Sequence, residues 1–262
     1  MNDLLRLAET LARRAGDHAL RGRRSGELSV DTKSTVTDIV TRYDRECEAM
    51  IVGAITNDRP DDAIVGEEGA STGGTSGVEW HVDPIDGTVN YFYGLPTWSV
   101  SIGARDADGP LVGAVFVPVL DEMFTAVRGQ GARLNGSPIS PRPVTDLSQS
   151  LLATGFAYDT QTRVRQGRIV SRLTGDVRDI RRLGAASVDM CFVACGRLDA
   201  YFEAGLHSWD VMAARLVVTE AGGTVSALDG GPARDDEVIA SASGIHSAVV
   251  AMYARALAQE GP

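Results

Sequence analysis

Residues 79–88 read Glu-Trp-His-Val-Asp-Pro-Ile-Asp-Gly-Thr, a largely apolar run that passes directly into an acidic turn. The pattern predicts a strand that delivers Asp83 to its end, with Asp86 returning to the same side three residues later. Gly87 lets the backbone approach a ligand, and Thr88 offers a hydroxyl and an amide. Such a turn suits a hard, oxygen-seeking cation, and a helix starting near Thr88 would present free amides to a phosphate. Asp-Pro and Asp-Gly are also common turn dipeptides, so the stretch alone also fits a surface turn.

Three other acidic clusters accompany this stretch. They are Gly66-Glu67-Glu68-Gly69, the segment from Asp38 to Asp44, and His207-Ser208-Trp209-Asp210. Taken singly, Glu67 and Glu68 fit a solvated pair and Asp210 fits a helix cap. Several carboxylates at predicted strand ends, in a chain of net charge −10, favour a metal site instead.

Composition restricts the class of protein. The chain has 262 residues, 44% of them hydrophobic, which is enough to bury a large core. The charge of −10 argues against nucleic-acid partners and requires local cations if the substrate is anionic. No apolar run approaches the roughly 20 residues that span a bilayer, so no membrane association is predicted.

The three cysteines form no C-x-x-C pair, and this pattern predicts a reduced, cytoplasmic protein. Cys191 and Cys195 lie four residues apart and could share a helix face. A metal pair is possible there, but burial as small side chains is favoured.

Apolar periodicity predicts a first helix over residues 4–19 that ends in the stretch 21–26. A second helix is predicted to begin at Thr37 or Asp38 and to end near Asn57. Its predicted buried face contains Val40, Tyr43, Cys47, Met50 and Ala54, with Arg42 and Asp44 off that face.

Strands are predicted at residues 63–65, 79–82, 98–104, 111–117 and 123–127. The three prolines of residues 137–144 mark an internal boundary. Residues 1–144 are therefore predicted to form an α+β half with most of the metal ligands. Residues 145–262 are predicted to form an α/β half with Asp210 and the substrate contacts, because strands and helices alternate there. Its predicted strands are 151–154, 177–182, 199–203 and 238–242, and its predicted helices are 185–194, 209–221 and 245–258.

Ordered motifs across some two hundred residues resemble the inositol monophosphatase family. The matching stretches are 33–44, 66–68, 80–90 (Trp-His-Val-Asp-Pro-Ile-Asp-Gly-Thr-Val-Asn), 113–118, 131–136, 184–191, 196–203, 209–214 and 220–223. The resemblance implies a layered αβαβα sandwich of the inositol monophosphatase and fructose-1,6-bisphosphatase type. It also implies a lithium-sensitive, usually homodimeric phosphatase that uses two or three Mg²⁺ ions per active site.

The resemblance also assigns metal ligands. Glu67 and Asp83, with the carbonyl of Ile85, would hold a first Mg²⁺. Asp83, Asp86 and Asp210 would hold a second. Each position carries the residue type that the family uses.

The remaining site residues are likewise assigned by resemblance. Thr88, supported by Asp44, would join Glu67 in positioning the attacking water. The positions that would contact the substrate are Gly87, Thr88, Gly184, Ala186, Glu203 and Asp210.

The implied reaction is hydrolysis of a small polyol phosphate, with inositol 1-phosphate as the first candidate. Histidinol-phosphate, fructose-1,6-bisphosphate and nucleotide 3′-phosphate phosphatases remain alternatives, as does a non-catalytic regulatory partner. Val89, where histidinol-phosphate enzymes tend to carry lysine, and the stretch 205–210 favour the inositol type. A serine hydrolase built from His207, Ser208 and Asp210 is disfavoured because the three are nearly consecutive. A nucleotide-binding enzyme is disfavoured because neither G-x-G-x-x-G nor a Walker lysine motif occurs.

Overall fold

The computed structural model describes residues 1–26, 30–32 and 39–260. Its helices are α1 (Asn2–Ser25), α2 (Arg42–Asp58), α3 (Thr88–Tyr93), α4 (Thr160–Leu173), α5 (Ala186–Ala194), α6 (Ser208–Glu220) and α7 (His246–Ala258). Its strands are β1 (Val30–Thr32), β2 (Ile39–Thr41), β3 (Ala63–Gly66), β4 (Ser71–Thr72), β5 (Glu79–Asp86), β6 (Ser99–Asp106), β7 (Gly109–Val117), β8 (Glu122–Val127), β9 (Ala132–Leu134), β10 (Ser137–Pro138), β11 (Leu151–Thr154), β12 (Asp179–Arg181), β13 (Ala200–Ala204), β14 (Thr224–Ser226) and β15 (Glu237–Ser241).

The elements stack in five alternating layers. An eight-stranded sheet has the order β10-β9-β8-β7-β6-β5-β3-β4, and a five-stranded sheet has the order β12-β11-β13-β15-β14. Helices α1 and α2 cover the outer face of the first sheet, and α5 and α6 lie between the two sheets. Helices α4 and α7 cover the outer face of the second sheet. The predicted αβαβα sandwich is confirmed.

Strand direction brings two of the acidic clusters together. β3 runs parallel to β5, with Gly66 opposite Val82, so both strands end at the same edge of the sheet. Glu67 follows the first strand and Asp83 lies one residue beyond Val82. The parallel register therefore places these two carboxylates side by side. In the chain, fifteen residues lie between Glu67 and Asp83, and they include β4.

The predicted start of the second helix is wrong. Residues 39–41 form strand β2, and α2 begins at Arg42 with Thr41 as its N-cap. The Thr41 hydroxyl accepts from the Tyr43 amide, and Asp44 accepts from the Thr41 amide, so a capping box fixes the boundary. Thr37 and Asp38 lie outside the described residues.

The buried face of α2 also differs from the prediction. Tyr43 and Cys47 are buried as expected, but Ile51 and Ile55 are buried with them, whereas Met50 and Ala54 are only partly buried. Asp44, predicted to lie off that face, is also fully buried, because its side chain caps the helix at Thr41.

Other boundaries follow the predictions with local exceptions. The five strands predicted in the first half and the three helices predicted in the second half all form, within a few residues. Helix α4 is not among the predicted elements, because its sequence is mostly polar and it buries only Ile169 and Leu173. The proline-rich segment 137–144 opens with β10, a two-residue edge strand. Residues 69–73 match G-x-S-x-G, the pattern around the nucleophilic serine of many hydrolases. Ser71, however, lies in β4 and not at a turn between a strand and a helix, as that role requires.

The cysteines pack as small apolar side chains. Cys47 and Cys191 are buried in separate core clusters, and Cys195 is partly buried. Burial raises the pKa of Cys47 to about 12 and that of Cys191 well above its usual value, which favours the thiol. No helix among the described residues is long and apolar enough to cross a membrane. The cytoplasmic location stays a prediction, and so does the division at residue 144.

Candidate active site

A pocket of about 270 Å³ opens where the ends of β3 and β5 meet the N-termini of α5 and α6. Its walls come from both sheets and from the helix layer between them. The described residues that line it are Glu67, Asp83, Ile85, Asp86, Gly87, Thr88, Gly155, Phe156, Ala157, Tyr158, Arg182, Gly184, Ala185, Ala186, Glu203, Gly205, Leu206, His207, Trp209 and Asp210. The structure thus gathers every predicted site residue here except Asp44, which lies behind Thr88.

Asp83 is the most deeply buried carboxylate of the pocket, with 2% of its surface exposed. Its Oδ1 accepts a hydrogen bond of 3.0 Å from the Ile85 amide, and the pairing of β5 with β6 shifts register between Asp83 and Asp86. Burial raises the pKa of Asp83 well above its usual range, and the charges of Glu67, Asp86 and Asp210 raise it further. The ionised form of Asp83 is therefore unfavourable in this pocket unless a cation compensates its charge.

Asp86 lies at the N-terminus of α5. It accepts hydrogen bonds from the Ala186 amide at 3.2 Å and the Ser187 amide at 2.8 Å, and also from the Ser187 hydroxyl. Burial raises the pKa of Asp86 to about 7, with the Asp210 charge acting in the same direction and the Ser187 bonds opposing it. The Ala186 amide, predicted to contact the substrate, is thus already bonded to Asp86.

Glu48 orders the loop that carries Glu67. Its carboxylate accepts from the Glu68 amide at 2.8 Å and from the Ala70 amide at 3.1 Å. Glu48 is itself 5% exposed and lies on α2. The sequence prediction missed it, although its position one turn after Asp44 on the same helix was a usable signal.

The predicted Thr88–Asp44 pair is present. The Thr88 hydroxyl lies 3.1 Å from Asp44 Oδ1 and 3.1 Å from the Ile85 carbonyl oxygen, so its proton can be donated to either acceptor. The other Asp44 oxygen accepts from the Thr41 amide at 2.8 Å and from the Thr41 hydroxyl at 2.6 Å. Asp44 is therefore held in one orientation. When the Thr88 hydroxyl donates its proton to Asp44, the lone pairs of the Thr88 oxygen can still accept a hydrogen bond from another group.

Gly87 sits in a backbone conformation with φ of +88°, directly before the short helix α3 that starts at Thr88 as anticipated. A side chain there would approach the Gly184 carbonyl oxygen and the Ala185 methyl to 3.1 Å. A glycine is needed both for the left-handed turn and for the close contact with the segment that precedes α5.

Asp210 comes from the other side of the pocket, in the first turn of α6. Its Oδ2 accepts a 2.7 Å hydrogen bond from the His207 amide, which caps the helix. His207 and Trp209 stack with ring centroids 4.7 Å apart and form one wall. Ser208 bonds His81 rather than His207, so the three residues do not form a hydrolytic triad.

Glu203 lies in β13 and faces the pocket. It accepts a hydrogen bond from the Tyr201 hydroxyl, and burial raises its pKa to about 7 despite that bond. Arg182, which no sequence pattern indicated, lines the same pocket near Gly184. This part of the pocket thus offers hydrogen-bond acceptors and a guanidinium, and the charges of Asp210 and Asp86 still raise the pKa of Glu203.

The donor set fits hard divalent cations. Glu67, Asp83, Asp86 and Asp210 supply carboxylate oxygens, the ligands that Mg²⁺ prefers. Among the described residues, no three acidic, histidine or cysteine side chains already form a set able to hold an ion. Asp86 and Asp210 accept amide hydrogen bonds instead, but a carboxylate has roughly four lone-pair sites and keeps some for a cation.

The chain is similar in sequence and in structure to known proteins. Residues 1–260 match the sequence model of the inositol monophosphatase family. This chain belongs to the inositol monophosphatase family. Family members generally depend on Mg²⁺, in agreement with the carboxylate-rich pocket.

Three similar members of the family illustrate its range. The protein named Nus factor SuhB in Pasteurella multocida is 42% identical over 235 residues, which cover 88% of this chain and 87% of that protein. The inositol monophosphatase of Thermotoga maritima has a TM-score of 0.90 at 32% identity, covering 99% of this chain and 100% of that one. Inositol monophosphatase II of Staphylococcus aureus, solved with inositol monophosphate bound, has a TM-score of 0.81 at 26% identity, covering 98% and 97%.

Proposed function

We propose that this chain is a Mg²⁺-dependent phosphatase that hydrolyses a small polyol phosphate monoester, with inositol 1-phosphate as the leading substrate. The observation that carries the proposal is the meeting of four carboxylates in one pocket with Thr88, whose hydroxyl lies within hydrogen-bond distance of Asp44 behind it. Family membership and the inositol monophosphate bound to a relative support the substrate class.

The proposed metal ligands are those that the family resemblance assigns, and all of them line the pocket. Glu67, Asp83 and the Ile85 carbonyl would hold one ion, and Asp83, Asp86 and Asp210 would hold another. Bound Mg²⁺ neutralises phosphoryl oxygens, acidifies a water and stabilises the leaving alkoxide. Without such cations, a phosphate dianion would be repelled by the same carboxylates.

The protein's own groups then position the reacting water. With its proton donated to Asp44, the Thr88 oxygen accepts a hydrogen bond from the water and directs a water lone pair toward phosphorus. The Glu67 carboxylate accepts the water proton. Gly87, Thr88 and Glu203 line the pocket, so the amides of Gly87 and Thr88 would bind the phosphate and Glu203 would accept hydrogen bonds from the hydroxyls of the leaving group.

A phosphate-release panel tests this function. Inositol 1-phosphate, histidinol phosphate, fructose 1,6-bisphosphate and adenosine 3′-phosphate are assayed with Mg²⁺ and with EDTA. We expect Mg²⁺-dependent turnover, highest on inositol 1-phosphate, silenced by EDTA and restored by added Mg²⁺. Turnover that persists in EDTA contradicts the metal assignment, and preference for another substrate contradicts only the choice of inositol.

Glu203→Gln is expected to raise the KM for inositol 1-phosphate by about tenfold to a hundredfold. The physical reason is that hydrogen bonds to a charged acceptor are worth about 1.5–3 kcal/mol. Glycerol 2-phosphate, which lacks the ring hydroxyls, is the comparison substrate, and its KM should rise much less in this variant. Equal losses on both substrates would place Glu203 in the catalytic machinery, and no loss on either would place it outside recognition.

Lithium is expected to inhibit turnover at fixed Mg²⁺. A small monovalent cation that enters the site near Asp86 and Asp210 after cleavage retains the phosphate product without supplying the charge needed for turnover. Phosphate release is measured against LiCl, with KCl at equal ionic strength as the control. Full activity at high lithium would contradict the prediction and indicate a weak second site.

A second candidate function is regulatory. Several similar proteins carry the name Nus factor SuhB, which places the transcription machinery among the candidate partners. The expectation of no nucleic-acid partner rests on the charge of −10 alone, so a protein partner is the more compatible form of this role. A transcription assay with wild-type and Asp83→Asn protein distinguishes the two. Equal activity of both would show a role independent of hydrolysis, and no effect of either would contradict it.

A further inference from the structure

Buried His81 connects the two elements that carry the proposed metal ligands. It lies in β5, two residues before Asp83, and is 2% exposed. Its Nδ1 lies 2.8 Å from the hydroxyl of Ser208, the first residue of α6 and two residues before Asp210. Its Nε2 lies 2.9 Å from Glu79 Oε1 on the same strand.

The direction of these bonds follows from their partners. A carboxylate only accepts, so Nε2 of the neutral ring carries the hydrogen toward Glu79, and Nδ1 accepts from the Ser208 hydroxyl. Burial and the neighbouring Arg105 charge lower the pKa of His81, in agreement with a neutral ring. Arg105 also donates to Glu79 at 2.8 Å, so the carboxylate that orients the ring is itself held.

The packing of α6 on the sheet explains why such a bond is needed. Opposite His81 in the ladder lies Gly103, which in turn pairs with Gly113. A side chain on Gly113 would approach the Ala213 carbonyl oxygen to 2.5 Å, so the backbone of α6 rests directly on bare glycines. These two glycines allow close approach, but they contribute no side chain that would fix the helix along its own axis.

Hydrogen bonds at the first turn of α6 supply that restraint. Besides the His81–Ser208 bond, the Ser101 hydroxyl donates to the Trp209 carbonyl oxygen at 3.3 Å, and Ser101 pairs with Asp83 in the ladder. Both bonds therefore join the neighbourhood of Asp83 to residues adjacent to Asp210. Ser208 does not line the pocket, so its hydroxyl serves position rather than contact with a substrate.

We propose that the His81–Ser208 bond, with the ring oriented by Glu79, is a tether that sets the spacing between Asp83 and Asp210, and thereby the preference of the site for Mg²⁺. The proposal rests on the metal site of the proposed function. Mg²⁺ requires near-ideal octahedral geometry with oxygens at about 2.0–2.1 Å, whereas Ca²⁺ accepts flexible geometry at about 2.3–2.6 Å. Loss of the tether should therefore weaken Mg²⁺ binding more than Ca²⁺ binding.

Two substitutions of His81 separate its bond to Ser208, which is the tether, from its bond to Glu79. Asparagine places a polar atom near the position of Nδ1 and can keep the Ser208 bond, while glutamine reaches the position of Nε2 and keeps only the Glu79 bond. Ser208→Ala removes the same bond from the other side with minimal effect on folding. The matched control is His246→Gln, because His246 also bonds two serine hydroxyls, Ser241 at 2.8 Å and Ser226 at 3.0 Å, in the other sheet.

The test is calorimetric titration of the full chain with Mg²⁺ and with Ca²⁺, without substrate. We expect Ser208→Ala and His81→Gln to weaken Mg²⁺ binding by about three- to tenfold, the worth of one hydrogen bond, and Ca²⁺ binding by less. His81→Asn and the His246 control should bind both ions as the wild type does. Unchanged Mg²⁺ affinity in Ser208→Ala and His81→Gln, or equal losses for both ions, overturns the tether. A wild-type chain that binds no Mg²⁺ contradicts the proposed function itself.

Discussion

Asp83→Asn is expected to abolish phosphate release while leaving the protein folded. Asp83 is the carboxylate placed to serve both proposed ions, so one substitution removes a negative charge and a ligand oxygen from each. The pKa of Asp83 is raised by burial and by Glu67, Asp86 and Asp210, which means that its charge is unfavourable in the folded protein without cations. The thermal midpoint of the metal-free variant should therefore equal or exceed that of the wild type.

The comparison that isolates the metal role is made with and without Mg²⁺. Addition of Mg²⁺ should raise the thermal midpoint of the wild type, since a ligand that binds only the native state stabilises it. The same addition should leave Asp83→Asn nearly unchanged. Asp62→Asn provides a control, because Asp62 is equally buried but bonds Trp80, Ser76 and Arg59 outside the pocket. That variant should lose stability and keep its Mg²⁺ response. Near-normal turnover in Asp83→Asn would refute the ligand assignment.

Thr88→Ala is expected to lower kcat by about 10²–10⁴-fold, the range typical of general acid–base catalysis, because the water that Glu67 deprotonates loses the group that orients it. The Thr88 hydroxyl is fixed by Asp44, which two bonds from Thr41 hold in place, so an alanine leaves the water without its orienting acceptor. The affinity for Mg²⁺ should change little, because Thr88 is not among the proposed metal ligands.

Thr88→Ser is the matched variant, since it keeps the hydroxyl and loses only a methyl group. It should retain most of the wild-type kcat. Turnover and calorimetric Mg²⁺ affinity are measured on all three proteins. A defect confined to Mg²⁺ affinity in Thr88→Ala would assign the residue to the metal site, and equal losses in the serine and alanine variants would point to packing.

Local signals in the chain were sufficient for most of the architecture. Apolar periods and glycine-bearing turns located the meander β6 to β8 and helices α5 to α7, because each of these elements buries a continuous apolar face. They misplaced the start of α2. The apolar period extends back to Val40 and suggests an earlier start, whereas the capping box of Thr41 and Asp44 begins the helix at Arg42. They missed α4, whose inner face is only two residues wide.

The identity of the proposed ligands could be inferred from sequence motifs, but their arrangement could not. Motifs fix residue types along the chain, and the turn at Asp83 and Asp86 is local enough to be predicted. The neighbours that orient these groups come from distant segments: Glu48 for the Glu67 loop, Ser187 for Asp86, and His81 for the helix that carries Asp210. These groups come together because β3 and β5 pair in parallel register and because α6 packs directly on Gly103 and Gly113. Hydrogen bonds between a sheet and a helix depend on such packing, which no local sequence pattern encodes.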